Sequence, residues 1–270
     1  MRGSIIGDII GSAFIESPQS TTDFQLLKPF SAYTTDTVLT IAIADAIIKK
    51  QSYEDSLRHW VSKFPKAGYR KKFMDWALSD KPNQQYNSSG DGAARRVAPI
   101  GFSAQTLEEA MEQAKEATII THALEPKIKA AQAMTGAIFL ARKGESKEEI
   151  SEFLKSKIGY ELPTSLNKEE INPLIKKYKS PAPAALLAFL DSTNFEDAIR
   201  KAIWLEGPTN TIASITGGLA QAYYKHIPKA LVRKTLSRID PEMESTMEDF
   251  EKIHCKEVLQ SNQDIKFNFH

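Results

Sequence analysis

Two short clusters of side chains that bear oxygen or nitrogen each stand at the start of an apolar, helix-forming stretch. The first is YTTDT at residues 33–37, and the second is TNT at residues 209–211, directly after the turn Gly207-Pro208. Hydroxyl, amide and carboxylate groups are good helix N-caps, and the free N–H groups of a helix start attract anions. The clusters therefore predict either two capped helices in a helical core or a polar site for an anion or a metal complex.

A third polar segment lies between them, in a long loop over residues 80–92 that is followed by AARRVAPIGF. Gly90 and Gly92 allow backbone N–H groups to converge on an anion, and Arg95 and Arg96 add positive charge. Taken alone, a short loop that contains glycine is more often an ordinary connection. His122 stands alone at a helix end, where a histidine is more often structural than a ligand.

The first helix, expected over residues 4–16, is a candidate for the element that holds these clusters together. Glycine is unfavourable in a helix interior, so Gly7 and Gly11, one turn apart, predict close packing against another helix. Asp8 and Glu16 lie on roughly the same face of this helix. Each is either paired structurally or placed at a site.

The remaining periodicity predicts about a dozen helices, with no convincing strand pair and no repeat. We therefore expect an all-α fold, a single compact domain over residues 1–258 and a polar C-terminal tail over 259–270. Residues 157–180 have no clear helical pattern. The expected helices besides the first lie at 38–50, 53–63, 69–79, 105–120, 127–142, 147–156, 182–191, 194–204, 228–238 and 241–253. A further helix of small residues is expected after Thr211, within the stretch 205–224.

Composition limits the classes of partner. The chain has 270 residues, a formal net charge of +1 and 41% hydrophobic residues, which fits one large domain or two small domains without an obvious linker. This charge gives no support for nucleic acid or a membrane surface as a partner. The single cysteine, Cys255, cannot form an internal disulfide and favours a cytoplasmic protein, and no stretch has the pattern of a signal peptide or a membrane span.

The clusters together, in their order along the chain, resemble the ADP-ribosylglycohydrolase family from about Met1 to Asp240. The resemblance is carried by GDIIGS with a later Glu at 7–16, TxDT at 34–37, GxGAAxRVAPIG at 90–101, ITH at 120–122 and GxTxTIAxITG at 207–217. It implies a compact all-α fold with two magnesium ions at its centre. It also implies an enzyme that removes ADP-ribose from a modified protein side chain or a related acceptor.

The resemblance assigns expected roles to residues of this chain. Glu16 and Asp36 would be catalytic. Ligand binding would involve Ser88, Gly90, Asp91, Gly92, Arg95 and His122, and the metal ligands would be Thr34, Asp36, Asn210 and Thr211.

The metal motifs, however, have lost most of their charge. The family reads TDDT early and GGD[ST]DT late, whereas this chain has Thr35, Pro208 and Asn210 at three of the four aspartate positions and keeps only Asp36. Magnesium prefers about six oxygen ligands, and two such ions need several carboxylates. We therefore expect no cofactor, with a single Mg²⁺ as the alternative.

The binding loop departs from the family pattern as well, with Ser89 for the aromatic residue, Asp91 for asparagine and Arg95 for methionine. Because these departures concentrate at the site, we expect a pseudoenzyme that binds an ADP-ribose-like anion or a protein partner. The alternative is an active ADP-ribosyl hydrolase that acts on an ADP-ribosylated protein with one metal ion or altered chemistry.

Overall fold

Helices make up the regular structure of the chain. The computed structural model describes residues 1–80 and 86–255, and these contain fourteen α-helices and no strand. The predicted all-α class is confirmed, while the expected tail over 259–270 lies outside the described residues. The helices are α1 Arg2–Gly11, α2 Thr35–Lys49, α3 Tyr53–Lys63, α4 Lys71–Ala77, α5 Ala98–Ser103, α6 Leu107–Ile119, α7 Glu125–Lys143, α8 Lys147–Phe153, α9 Lys168–Tyr178, α10 Ala182–Leu190, α11 Phe195–Trp204, α12 Thr209–Tyr224, α13 Lys229–Leu236 and α14 Pro241–His254.

Three elements differ from the expectation. The short helix α5 is present where the sequence predicts no helix. The first helix ends at Gly11 and continues as a short 3₁₀ turn, Ser12–Phe14, so Glu16 lies beyond it. Helix α9 lies in a region without an expected helix. Asn167 caps it through the backbone N–H of Glu169, and its apolar residues bury one face despite the interior Pro173.

The central contact of the fold is between α1 and α12, whose backbones touch. A Cβ at Gly3 would lie 2.1 Å from the carbonyl oxygen of Gly217, and one at Gly7 would lie 2.0 Å from that of Ala213. The hydroxyl of Thr209 also donates a hydrogen bond to the Gly11 carbonyl at 2.8 Å. Only glycine permits this approach, which brings the start of α12 to the end of α1.

Helix α1 also fixes the start of α2 through Asp8, which is fully buried. Its carboxylate accepts hydrogen bonds from the backbone N–H and the hydroxyl of both Thr34 and Thr37, at 2.7 to 3.1 Å. Of the two interpretations of Asp8, the structure shows the first, in which its carboxylate is paired within the fold. Through α1, the starts of α2 and α12 therefore become neighbours.

No helix within the described residues has the length and apolarity needed to cross a membrane.

We expect Gly7→Ala to lower the free energy of unfolding by about 3 kcal/mol, because the new methyl group would meet the backbone of Ala213 and force the helices apart. Urea unfolding followed by circular dichroism measures the change.

The matched control is Gly218→Ala in α12. The three atoms nearest to its added methyl group all belong to side chains, those of Ser4, Met134 and Ile138, and a side chain shifts more readily than a backbone. A loss of about 1 kcal/mol or less is expected there. Equal losses for the two variants would contradict the claim that the backbone contact is the limiting constraint.

Candidate ligand-binding site

A cleft of about 390 Å³ opens where the starts of α2 and α12 meet the loop before α5. Its other walls are the segment 67–73, Ile15 after α1, and His122 after α6. The polar clusters that are far apart in sequence therefore share one cavity, whose size is typical of small-molecule sites.

The cleft collects nine of the residues to which the resemblance assigns a role. These are Thr34, Ser88, Gly90, Asp91, Gly92, Arg95, His122, Asn210 and Thr211. Asp36 lies directly beneath the lining, fully buried. Glu16 is exposed in the turn that follows the 3₁₀ helix and is outside the lining found among the described residues, so its catalytic role stays a prediction. Glu206, which directly precedes the late motif, forms an ion pair with Lys168.

The Asp36 carboxylate is surrounded by hydrogen-bond donors. One Oδ atom lies 2.5 Å from Nη1 of Arg95 and 3.3 Å from the hydroxyl of Thr35. The other lies 3.3 Å from the hydroxyl of Thr211 and 3.4 Å from the amide nitrogen of Asn210. Arg95 thus supplies a cation from the chain itself at the last carboxylate of the metal motifs.

The pKa of Asp36 is raised to about 7, chiefly because burial removes water from the charged form. The guanidinium of Arg95 lowers this pKa, whereas the nearby carboxylate of Asp8 raises it further. The net effect is that the pKa of Asp36 lies well above the ordinary value of an aspartate.

The residues present do not fit a pair of magnesium ions. Among residues 1–80 and 86–255, no group of three or more His, Cys, Asp or Glu side chains could hold a metal ion. Pro208 has no side-chain oxygen, and the amide nitrogen of Asn210 is directed at Asp36 as a donor. The hydrogen-bond donors around Asp36 therefore suit a single buried carboxylate, and the residues here offer too few oxygen ligands for two magnesium ions.

The loop that resembles a phosphate cradle is held firmly. The backbone N–H of Ser88 donates to the Thr121 carbonyl at 2.7 Å, and that of Gly90 donates to the Ser88 hydroxyl at 3.0 Å. The ammonium group of Lys127, whose side chain is 8% exposed, lies 2.8 Å from the carboxylate of Asp91. The loop shape is thus set before any ligand arrives.

Sequence reasoning missed Lys127, although its spacing carried a signal. It stands three, four and seven residues before Ala130, Ala131 and Met134, all buried on the inner face of α7. A lysine on such a face needs a partner, and Asp91 supplies it.

Arg96 and His122 form the inner wall of the cleft. The Nη2 of the fully buried Arg96 donates to the Ala117 carbonyl at 2.6 Å and to the Thr121 hydroxyl at 2.8 Å. Burial above all, together with neighbouring cations, lowers the pKa of Arg96 to about 9 and that of His122 to about 2. His122 is therefore neutral at physiological pH, and its ring meets the Gly92 side of the loop.

These features, a central Asp between two helix starts and a glycine loop opposite, agree with a family comparison. A family model described as ADP-ribosylglycohydrolase matches residues 1–258. The chain belongs to the ADP-ribosylglycohydrolase family.

Individual relatives are distant. The chain is 24% identical over 307 aligned positions to ADP-ribosylhydrolase ARH3 of Gallus gallus and 23% identical over 306 to that of Homo sapiens, in each case with 83% of this chain and 84% of the relative covered. A solved structure titled ADP-ribosylglycohydrolase-related protein complex matches with a TM-score of 0.70 at 21% identity, covering 93% of this chain and 95% of that one. The fold of the family is therefore present.

We expect Arg95→Met to raise the pKa of Asp36 above its value of about 7, because the guanidinium that favours the charged form is removed. A carbon-13 NMR titration of the aspartate carboxyl groups measures the pKa. Asp36 already titrates higher in the folded than in the unfolded chain, so its contribution to the free energy of unfolding falls as the pH rises from about 4 towards 7. In the variant this fall should continue to higher pH.

Arg95→Lys is the matched control, since it keeps the positive charge and should leave the pKa of Asp36 near its original value. An unchanged pKa in Arg95→Met would mean that the ion pair does not set the charge of Asp36.

Proposed function

We propose that this chain is a pseudoenzyme of its family, which binds an ADP-ribose-like anion in the cleft without magnesium and does not hydrolyse it. The ion pair between Arg95 and Asp36 is the observation that carries the proposal. It places a fixed organic cation on the one carboxylate that the metal motifs retain. A metal ion at Asp36 would have to displace this guanidinium.

Affinity for an anion is supported by the balance of charge around the cleft. Arg70, Arg95 and Arg96 contribute to its lining. Among the described residues, Asp91 is the one carboxylate in that lining, and it is already paired with Lys127. Glycines in the loop leave room for a phosphate to approach the backbone, and guanidinium groups form strong charge-assisted hydrogen bonds with phosphate oxygens. The cleft therefore favours anions over cations.

The expected loss of hydrolysis follows from the missing ligands for a pair of metal ions. Two ions orient the substrate and activate a water molecule. Pro208 and Asn210 bring no charge to hold them, and Thr35 adds only a hydroxyl. The chain would therefore bind the ligand without hydrolysing it. An ADP-ribosylated protein is one form of that ligand.

The second candidate function is an altered ADP-ribosyl hydrolase, and one observation favours it. A carboxyl group with a pKa of about 7 beside a cleft is suited to general acid or base catalysis, with or without a single magnesium ion. Its engagement by four donors counts against this role.

The test is calorimetric titration of the full chain with ADP-ribose, in excess magnesium and in excess chelator. We expect the same dissociation constant in both, because the cation that faces the ligand belongs to the protein. Product analysis with arginine- and serine-linked ADP-ribose substrates should show no release.

Binding that requires magnesium would contradict the proposal. Release of ADP-ribose that is abolished in Asp36→Ala would favour the second candidate. The absence of any ADP-ribose binding would leave a protein partner as the remaining occupant.

A further inference from the structure

Lys127 is a buried cation that lies behind the cleft and does not line it. Its side chain is 8% exposed and belongs to the inner face of α7. Among the described residues it is absent from the lining of the cleft, but it does line a small cavity between the loop 88–92, α7 and the turn before α10. Any effect of Lys127 on a ligand in the cleft must therefore pass through another residue.

Asp91 is the residue through which such an effect would pass. Within the described part of the chain, it is the one residue that lines both the cleft and the small cavity behind it. Its carboxylate is 36% exposed, and one of its oxygens accepts a hydrogen bond from the ammonium group of Lys127 at 2.8 Å. An uncompensated negative charge at this place would repel an anion in the cleft. The buried ammonium group supplies the compensating charge.

A second contact fixes the position of that ammonium group. It donates a hydrogen bond at 2.5 Å to the carbonyl of Lys179, which is the C-cap residue of α9. The carbonyl end of a helix carries partial negative charge and favours a cation. Lys127 therefore joins three elements that are far apart in the sequence, namely α7, the end of α9 and the loop that carries Asp91.

Stability alone gives no reason for a lysine at this position. Removing both charges of an ion pair from water has a large desolvation cost, and apolar residues of similar size are often as stable or more stable. The neighbours of Lys127 on the inner face of α7 are apolar, among them Ala130, Ala131 and Met134. The charge of Lys127 is instead placed where it changes what the cleft presents to an anion.

We propose that Lys127 is a positioning residue for the anion that the cleft binds: it holds Asp91 against the end of α9 and cancels the negative charge that Asp91 would otherwise present to that anion. The inference rests on the proposed function, because it concerns the same ligand, and it adds a residue that the ligand does not touch. The affinity of the cleft for an anion is thereby tied to the contact between α7 and the end of α9.

The experiment is calorimetric titration of the full chain with ADP-ribose in excess chelator. Lys127→Met keeps an apolar stem of similar length and removes the charge. We expect it to weaken ADP-ribose binding by about tenfold or more, because it leaves a carboxylate without a partner beside the anion. The matched control is Lys129→Met, an exposed lysine of the same helix that is loosely paired with Glu125 at 3.9 Å. The control should change the affinity by less than about twofold.

A second variant separates the role of the charge from a structural role. Lys127→Met combined with Asp91→Asn removes both charges of the pair and nearly keeps the shape of both side chains. It should bind ADP-ribose within about threefold of the wild type, because no uncompensated carboxylate then faces the cleft. A loss of packing at Lys127 would not be restored by the change at Asp91.

Lys127→Gln keeps N–H donors near the Asp91 carboxylate and the Lys179 carbonyl without the positive charge. It should therefore fold even if the methionine variant does not. We expect it to weaken ADP-ribose binding by about threefold to tenfold, since the hydrogen bond remains but is no longer assisted by charge.

Equal affinity of the wild type, Lys127→Met and Lys127→Gln for ADP-ribose would overturn the inference and leave the proposed function intact. A double variant that binds as weakly as Lys127→Met would overturn the role assigned to the charge of Asp91. If ADP-ribose does not bind the wild type in chelator, the proposed function and this inference fail together.

Discussion

The structure depends on the backbone contact between α1 and α12. Three glycines of α1 bring its backbone against the carbonyls of Gly217, Ala213 and Thr209, so that no side chain separates the helices. Asp8, on the same helix, then fixes the start of α2 by accepting hydrogen bonds from Thr34 and Thr37. The glycine face of α1 thus sets the distance between the two polar clusters. The cleft forms between them because they are held at that distance.

The chemistry of the cleft follows from one buried charge. Asp36 has no solvent contact, and a buried carboxylate is stable only with a cation or with donors around it. In a member of the family with intact motifs, the resemblance implies metal ions for that purpose. Here Arg95, Thr211 and Asn210 supply a cation and two donors. We propose that the arginine in the loop and the missing aspartates of the motifs are two parts of one electrostatic change.

Much of the fold could be predicted from the sequence, because helical periodicity and the glycine spacing of α1 are local signals. Helix α9 was missed because Pro173 and a run of lysines conceal its short apolar face, and α5 because six residues are too few to show a period. The candidate site could be predicted as a set of residues, since the clusters follow a family order. Their pairing could not, because the reach of Arg95 to Asp36 and of Lys127 to Asp91 depends on side chains from separate elements meeting in space.

The central claim is that a guanidinium occupies the electrostatic role of the metal pair while the cleft still accepts an anion. Anomalous diffraction from crystals of this protein soaked with manganese and ADP-ribose tests it most directly. The account predicts ligand density along the loop 88–92 and no manganese peak between Asp36 and Asn210. Two well-occupied manganese peaks about 3.5–4 Å apart at that place, with Arg95 displaced from Asp36, would contradict it.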